Sequence, residues 1–434
     1  MKLQRCLESW WEMIIIADDL TGANDTGIQL VKQGKEAVVH LVPSENIELV
    51  RDKINVINAD SRALSSEDAY ARNAMIARQI KAIPTSILYK KIDSTLRGHI
   101  GQEIDALIDE LDVSWCAFVP AYPQNGRKTV GSYHLVHGEL LEDSILSKDV
   151  TFPMKVSYIP DLLKKQTKRK IGTVELRTIR AGAIADAVRS LREDGCEIIV
   201  FDSAKERDLK AITSFLEGED DVLYVGSAGL AQALSQSEGR TEIPRLSQPS
   251  DSPVLTIAGS VSDVTRGQIA YQKERGAHVI EFDPVLLLQE DDETLLNARE
   301  EAVAMLRKNI DTVVTTNISE EAMEQVERFR RKKESDYFDI SNRIASALGR
   351  FARDVIDNVD VRGLILTGGD IAYHTCLHLN IHSLYLRAEI EEGIPLSTAT
   401  DGPYRHLLIV TKAGAFGKPN SLHDAAETIR AIKI

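Results

Sequence analysis

Two adjacent carboxylates, Asp18 and Asp19, close the apolar run 13–17 and lead through Thr21 and Gly22 into an amphipathic stretch. Unbroken apolar runs of this length are the mark of buried parallel strands, and open α/β sheets place ligands at the carboxyl ends of such strands. Two neighbouring Asp side chains repel each other, so the pair calls for a cation, a metal or a hydroxyl-rich ligand. The plainer reading is a helix cap by Thr21 or Asp25; it accounts for one residue and leaves the pair unexplained. Two further strand-like runs end in the same kind of chemistry. Asn55 to Asn58 is followed by Asp60-Ser61-Arg62, and Ser86 to Tyr89 by Lys91-Ile92-Asp93-Ser94-Thr95-Leu96-Arg97-Gly98. Lys91, Arg62 and Arg97 supply cations, Asp18, Asp19 and Asp93 supply acceptors, and Ser94 and Thr95 supply hydroxyls. Such a set suits a small polyhydroxy acid, because Arg grips a carboxylate with paired hydrogen bonds while carboxylates accept from sugar hydroxyls. One of the carboxylates, at hydrogen-bond distance from a substrate hydroxyl, would serve as general base. A surface salt-bridge cluster with Ser94 or Thr95 capping a helix is the competing reading.

Glycine-rich turns follow strands in the second half: Gly259-Ser260, Gly368-Gly369-Asp370 and Lys412-Ala413-Gly414-Ala415-Phe416-Gly417. Glycine at a strand-to-helix turn lets backbone N–H groups approach phosphate closely, and the helix N-terminus adds a favourable field. Three such turns on one sheet would cradle an adenine nucleotide. No Walker A pattern, Gly-x-Gly-x-x-Gly fingerprint or protein-kinase signature set is present. Gly226-Ser227-Ala228-Gly229-Leu230 has the same look, with tight helix packing as the alternative. The stretch 120–131 reads as a structured loop in which Arg127 and Lys128 form an anion clamp. His134 and His137 lack a third ligand and read as structural or surface histidines.

The elements that must position these residues alternate strand and helix. Strands are expected at Ala37 to Val42, Trp115 to Val119, Glu197 to Phe201 and Val222 to Val225. Helices are expected at about Ser66 to Ala82, capped by Ser65 or Ser66, and Ile100 to Leu111. After a Ser- and Pro-rich stretch the pattern restarts with strands at Pro253 to Ala258, His278 to Ile280, Thr312 to Thr315, Gly363 to Leu366 and Leu407 to Thr411. Helices at Glu293 to Lys308 and Ser341 to Asp357 lie between them. Alternation at this pitch predicts two α/β domains, each with a mostly parallel sheet flanked by helices, and a ligand cleft between them. The expected organisation is 1–236, a linker at 237–253, and 254–434.

A chain of 434 residues has room for two such domains. A net charge of −14 argues against general nucleic-acid binding, while a local cationic cluster still suits a small anion. Cys6, Cys116, Cys196 and Cys376 are widely spaced, which predicts neither a disulfide framework nor a zinc ribbon and favours a reducing, cytoplasmic setting. No run approaches a membrane span. The first dozen residues read as a short extension or a misassigned start, since Met13 opens the first strand. A homodimer is expected only on general grounds.

Taken in order, Ile16-Ala17-Asp18-Asp19-Leu20-Thr21-Gly22-Ala23, Asp60-Ser61-Arg62, Lys91 to Gly98, Gly226 to Leu230, Gly259-Ser260, Gly368-Gly369-Asp370 and Thr411 to Gly417 resemble the four-carbon acid sugar kinase family. The resemblance runs from about Ile14 to near the C-terminus. It implies an ATP- and Mg2+-dependent kinase acting on the terminal hydroxyl of D-threonate, D-erythronate or a 3-oxo-tetronate. It also implies an N-terminal acid-sugar-binding domain and a C-terminal nucleotide-binding domain. By motif, Asp18 or Asp19, Arg62 and Lys91, Ile92, Asp93 and Ser94, with Arg97 beside them, would bind the acid sugar. Ser260, Gly368, Gly369, Asp370, Ile371 and Gly414 would bind ATP. Asp93, or else Asp18 or Asp19, would take the proton, and Mg2+ would be held largely by nucleotide and water. The chain departs from the family pattern at Ile371, where Thr is common, so that only backbone contacts carry over there, and at His99, where Asn or Pro is more usual. The other function classes are a kinase of another small sugar acid and a non-catalytic sensor of sugar acid or nucleotide.

Overall fold

The computed structural model describes residues 11–41, 47–148, 152–234, 250–259, 262–289 and 291–433. The chain divides into two compact units, Met1–Arg240 and Thr241–Ile434. Most of the expected linker, and Ser260, lie outside the described residues.

The sheet of the first unit is built from β1 (Trp11–Ala17), β2 (Ala37–His40), β3 (Ile54–Asn58), β4 (Thr85–Lys91) and β5 (Trp115–Val119). A small antiparallel sheet of β6 (Arg127–Val130), β7 (Tyr133–Val136) and β8 (Glu139–Leu140) follows, and then β9 (Ile171–Val174), β10 (Ile198–Phe201) and β11 (Val222–Gly226). The main sheet runs β2-β3-β1-β4-β11-β5-β10-β9 and is parallel throughout. Ile14, Ile16, Ile57, Phe118, Ile198 and Val225 are buried in its core, as expected of strands covered on both faces. The chain leaves β1 toward β2 and leaves β3 toward β4, so the sheet changes direction around β1. That reversal opens a crevice beyond the carboxyl ends of β3, β1 and β4.

The second unit contains β12 (Val254–Ala258), β13 (His278–Phe282), β14 (Thr312–Thr316), β15 (Gly363–Thr367), β16 (Ser383–Glu391), β17 (Ile394–Ala399) and β18 (Leu408–Lys412). Its order is β13-β14-β12-β15-β18-β17-β16. The first five strands are parallel, and β18, β17 and β16 are joined by antiparallel pairing. The order β13-β14-β12-β15 repeats β2-β3-β1-β4, so this sheet reverses around β12.

The expected strands are present within a residue or two of their bounds. Helices are found at α1 (Leu20–Val31), α2 (Ser66–Ile80) and α3 (Ile100–Glu110). The strands with no expected counterpart are β9, the hairpin strands β6 to β8, and β16 and β17. Of these, β16 is antiparallel and alternates buried with part-exposed or exposed residues over its first six positions, so it lacks the continuous apolar run that marks buried parallel strands. Among the described residues no helix is long and apolar enough to cross a membrane.

Candidate active site

In the first unit the loops after β1, β3 and β4 meet. The backbone carbonyl of Asp18 accepts from the amides of Ser61 (2.9 Å) and Arg62 (3.2 Å), which ties the first two loops together. The Arg62 guanidinium then spans both carboxylates: Nε donates to Asp18 Oδ2 at 2.7 Å, Nη1 to Asp19 Oδ2 at 2.8 Å and Nη2 to Asp19 Oδ1 at 2.7 Å. The cation demanded by the aspartate pair is therefore a residue of the chain itself. Arg62, expected to grip a substrate carboxylate, is engaged with Asp18 and Asp19. The cap of α1 is Asp19, which accepts from Gly22 N at 2.9 Å, and not Thr21 or Asp25. Asp19 alone combines an extended backbone with a carboxylate aimed at the first turn. Lys91 also closes on this point. A Cβ on Gly22 would stand 2.6 Å from Asp19 Oδ1 and 2.8 Å from Lys91 Nζ, so a side chain there would displace both charged groups.

The Asp93 carboxylate accepts from Arg97 Nε at 2.6 Å and from the Thr95 hydroxyl. Arg62 also acts on it electrostatically, so the 93–97 segment belongs to the same cluster. Three carboxylates and three cations thus share one crevice. Burial pushes the Asp18 carboxyl up, but Arg62, Lys91 and Lys90 outweigh it and hold Asp18 below the usual carboxylate range. At Asp19 burial prevails over Arg62, and the Asp18 charge adds to it, so its acidity is weakened. Burial opposes ionisation of Asp93 too, yet Arg97, Arg62 and Thr95 keep it well below the ordinary range. Asp18 Oδ1 is fully buried and accepts no hydrogen bond. A buried carboxylate oxygen in that state is an acceptor awaiting a donor.

The remaining expected residues divide between site and scaffold. The side chain of Ile92 is packed in the core, so a ligand can use only its backbone; its carbonyl takes a 3.0 Å bond from Lys91 Nζ. The Ser94 carbonyl accepts from His134 Nε2 at 2.8 Å, while His134 Nδ1 faces Thr129 Oγ1 at 3.2 Å. His134 is thereby a fully buried strut from β7 to the loop after β4, and burial lowers its pKa to about 4. His99 bonds the Leu64 carbonyl at 2.6 Å, bracing the loop that carries Arg62. Arg127 turns onto Asn125 Oδ1 (2.8 Å) and His137 Nε2 (3.2 Å) of its own hairpin. Gly226 and Gly229 serve close packing, since a Cβ would meet Val119 O at 2.6 Å or Ala121 O at 2.7 Å.

Behind the crevice stands a network that residue-by-residue reading misses. Lys90 and Glu103, both inaccessible, form a 3.0 Å ion pair. Lys90 Nζ also bonds Asn73 Oδ1 at 3.1 Å, and the Ser61 hydroxyl donates to Glu103. This fixes Ser61, hence the start of Arg62. The available signal was the Lys90-Lys91 pair, since successive residues of a strand face opposite sides of the sheet.

In the second unit the turns after β12, β14 and β15 border an apolar slot of about 450 Å3, lined among others by Gly259, Gly368, Asp370, Ile371, Ile340 and Ile344. Ile371, expected to contribute only backbone, supplies a wall: its Cδ1 occupies the space that a Cβ on Gly259 would need, 2.5 Å away. Gly368 precedes the helix Gly369–His378 with φ 106° and ψ 135°, a conformation open to glycine. The loop after β18 is built on Lys412, which is 3% exposed. Its ammonium donates to the carbonyls of Ala413 (2.9 Å), Gly414 (3.1 Å) and Phe416 (3.2 Å) and to Thr265 Oγ1 (3.3 Å). Burial lowers its pKa to about 8. Lys412, Ile340 and Ile344 were not among the expected site residues.

Residues 13–234 match a family model described as a sugar-binding N-terminal domain, and residues 255–422 one described as a nucleotide-binding C-terminal domain. A D-threonate kinase of Salmonella typhimurium is 32% identical over 95% of this chain and 97% of its own length. A D-erythronate kinase of Heliobacterium modesticaldum is 31% identical over 94% and 95%, and a 3-oxo-tetronate kinase of Burkholderia multivorans 27% over 93% and 94%. The fold is that of a solved Salmonella typhimurium LT2 protein with TM-score 0.79, 23% identity, and coverage of 96% of this chain and 99% of that one. With matches spanning both units and near-complete coverage of kinases of one substrate class, the chain belongs to the four-carbon acid sugar kinase family and is a carbohydrate kinase, a phosphotransferase.

Proposed function

We propose that the protein transfers the γ-phosphoryl group of ATP to the terminal hydroxyl of a four-carbon acid sugar such as D-threonate, D-erythronate or a 3-oxo-tetronate. The observation that carries this reading is the buried, unpaired Oδ1 of Asp18, set among matched charges at the strand ends of the first unit. A substrate hydroxyl would donate to that oxygen, which makes Asp18 the acceptor of the transferring proton. Asp93 suits the role less well, because Arg97 and Thr95 already occupy it. Asp19 and Arg62 hold Asp18 in place. Arg97, whose side chain is 29% exposed against 16% for Arg62, is the better candidate for the substrate carboxylate, with Lys91 and the Ile92–Ser94 backbone beside it.

In the second unit the base of ATP would enter the apolar slot, and the amides of the turns after β12, β15 and β18 would meet its phosphates. Gly368, Gly369, Asp370 and Gly414 belong to those turns, and Ser260 is assigned with them on the resemblance alone. Mg2+, bound with the nucleotide, would neutralise phosphate charge. Asp370, at the first turn of its helix, would share in holding it, with phosphate and water as the other ligands.

The test is ADP release by purified protein with Mg-ATP across D-threonate, D-erythronate, 3-oxo-tetronates and five- and six-carbon sugar acids. Turnover on one C4 acid is the expected result. Turnover confined to longer acids would move the substrate class. ATP binding without turnover on any acid would favour a sensor.

A further inference from the structure

A buried ammonium needs a reason, because burying an ion without a counter-charge is unfavourable. Among the described residues Lys412 has no ion-pair partner; its acceptors are three carbonyls and one hydroxyl. These carbonyls belong to consecutive or nearly consecutive peptides of one loop, and all turn inward to the same atom. The Thr265 hydroxyl, on the helix Asp263–Glu274, reinforces this by donating to Gly414 O at 2.8 Å.

Peptides are planar and, in the described chain, trans. In a trans peptide the N–H points opposite to the C=O. With the carbonyls of Ala413, Gly414 and Phe416 drawn onto Nζ, the amides of Gly414, Ala415 and Gly417 are turned away from it. No acceptor among the described residues takes those three amides. Gly414 and Gly417 are half-buried and Ala415 is exposed, so the group is open to a ligand. Unpartnered backbone amides facing outward from one turn are donors open to the several oxygens of an anionic ligand. The ammonium behind them polarises the same peptides and gives the anion a counter-charge.

We propose that Lys412 is a positioning residue that turns the amides of Gly414, Ala415 and Gly417 outward as donors to nucleotide phosphate oxygens. Lys412 acts through the loop and does not itself touch the phosphate. The proposal rests on the nucleotide reading of the second unit and adds to it the device that orients the loop.

Titration calorimetry with ADP and, separately, with adenosine tests it on wild type, Lys412→Met and Thr265→Val, with thermal melting to verify folding. Adenosine fills the slot without using a phosphate site. Lys412→Met should weaken ADP roughly ten- to a hundredfold, as expected for loss of hydrogen bonds to a charged group, and leave adenosine unchanged. Thr265→Val, which keeps the ammonium, should weaken ADP by roughly threefold in the same selective way, and it carries the test if Lys412→Met fails to fold. ADP affinity unchanged in the folded variants, or equal losses for ADP and adenosine, would overturn the role of Lys412 while leaving the nucleotide reading intact. Wild type binding neither ligand would remove that reading, and this proposal with it.

Discussion

The loops leaving β1, β3 and β4 carry three carboxylates and three cations drawn into one buried cluster. The loops leaving β12, β14 and β15 occupy the corresponding places in an identically ordered parallel array, and they carry glycines, Asn317, the carboxylate of Asp370 and an apolar slot. On the proposed function, one strand order supports two opposite ways of holding a ligand. A small acid sugar offers carboxylate and hydroxyls within a few ångströms, and only side chains of fixed charge can sort them. A nucleotide presents phosphates to backbone amides and a flat apolar base to a slot, so charged side chains are largely dispensable. The first region is consequently self-compensated before any ligand arrives. Beyond the second, after β18, the same unit holds a buried ammonium with no ion-pair partner among the described residues, Lys412, turned toward its own backbone.

The sharpest way to break this contrast is Arg62→Ala. It leaves Asp18 and Asp19 buried against each other, and loss of one partner of a buried pair costs about 3–5 kcal/mol. All three tryptophans, Trp10, Trp11 and Trp115, lie in the first unit, so tryptophan fluorescence during denaturation should register the loss. An unchanged midpoint would mean that the cluster is not a structural unit.

Buried titratable groups set the two units apart in pH. His134 has a folded pKa of about 4 against an ordinary 6.5. Between those values the unfolded chain binds the extra proton, so stability is full above about pH 6.5 and is lost as pH falls toward 4. The amount is about 3 kcal/mol. The fluorescence-detected transition should follow this, and His134→Gln should flatten it; a variant with the same acid slope would reassign the effect. Lys412, at about 8 against 10.5, places the corresponding gain on the alkaline side. Calorimetry of the nucleotide-free protein should show the second unit stabilised as pH rises from about 8 to 10, and Lys412→Met should abolish that rise.

Asp18→Asn should lower kcat on the order of 10²-fold or more, with ADP affinity unchanged. A normal kcat would shift proton acceptance to Asp19 or Asp93. The smallest effect expected is that of Ile344→Trp, which narrows the slot. It should raise KM for ATP roughly tenfold, about 1.4 kcal/mol, and leave KM for the acid sugar alone. Equal effects on both would show that the two regions are not separable.

The contrast also governs how much could be read in advance. Asp18, Asp19, Arg62, Lys91, Asp93 and Arg97 were legible because charged residues at the ends of apolar runs stand out against a background that excludes them. Ile340, Ile344 and Lys412 were not. A slot-lining isoleucine has the same identity and spacing as a core isoleucine on an amphipathic helix, and Lys412 reads as one more lysine beside a glycine turn. The resemblance pointed to Gly368, Gly369 and Asp370 and left Ile371 only its backbone, whereas its side chain proved to be a wall of the slot.

Taken alone, the chain determined the alternation of strands and helices, the parallel character of the main sheets and the residues at most strand ends. These follow from local periodicity and burial, which neighbouring residues express together. Tertiary structure decided who meets whom. Arg62 is 44 residues from Asp18, and whether it grips a ligand or the aspartates depends on β3 lying beside β1. The slot beside Gly259 depends in the same way on β12 lying between β14 and β15. Strand order is a property of the packed sheet, set by how every crossover buries its helix, and no local stretch of residues contains it.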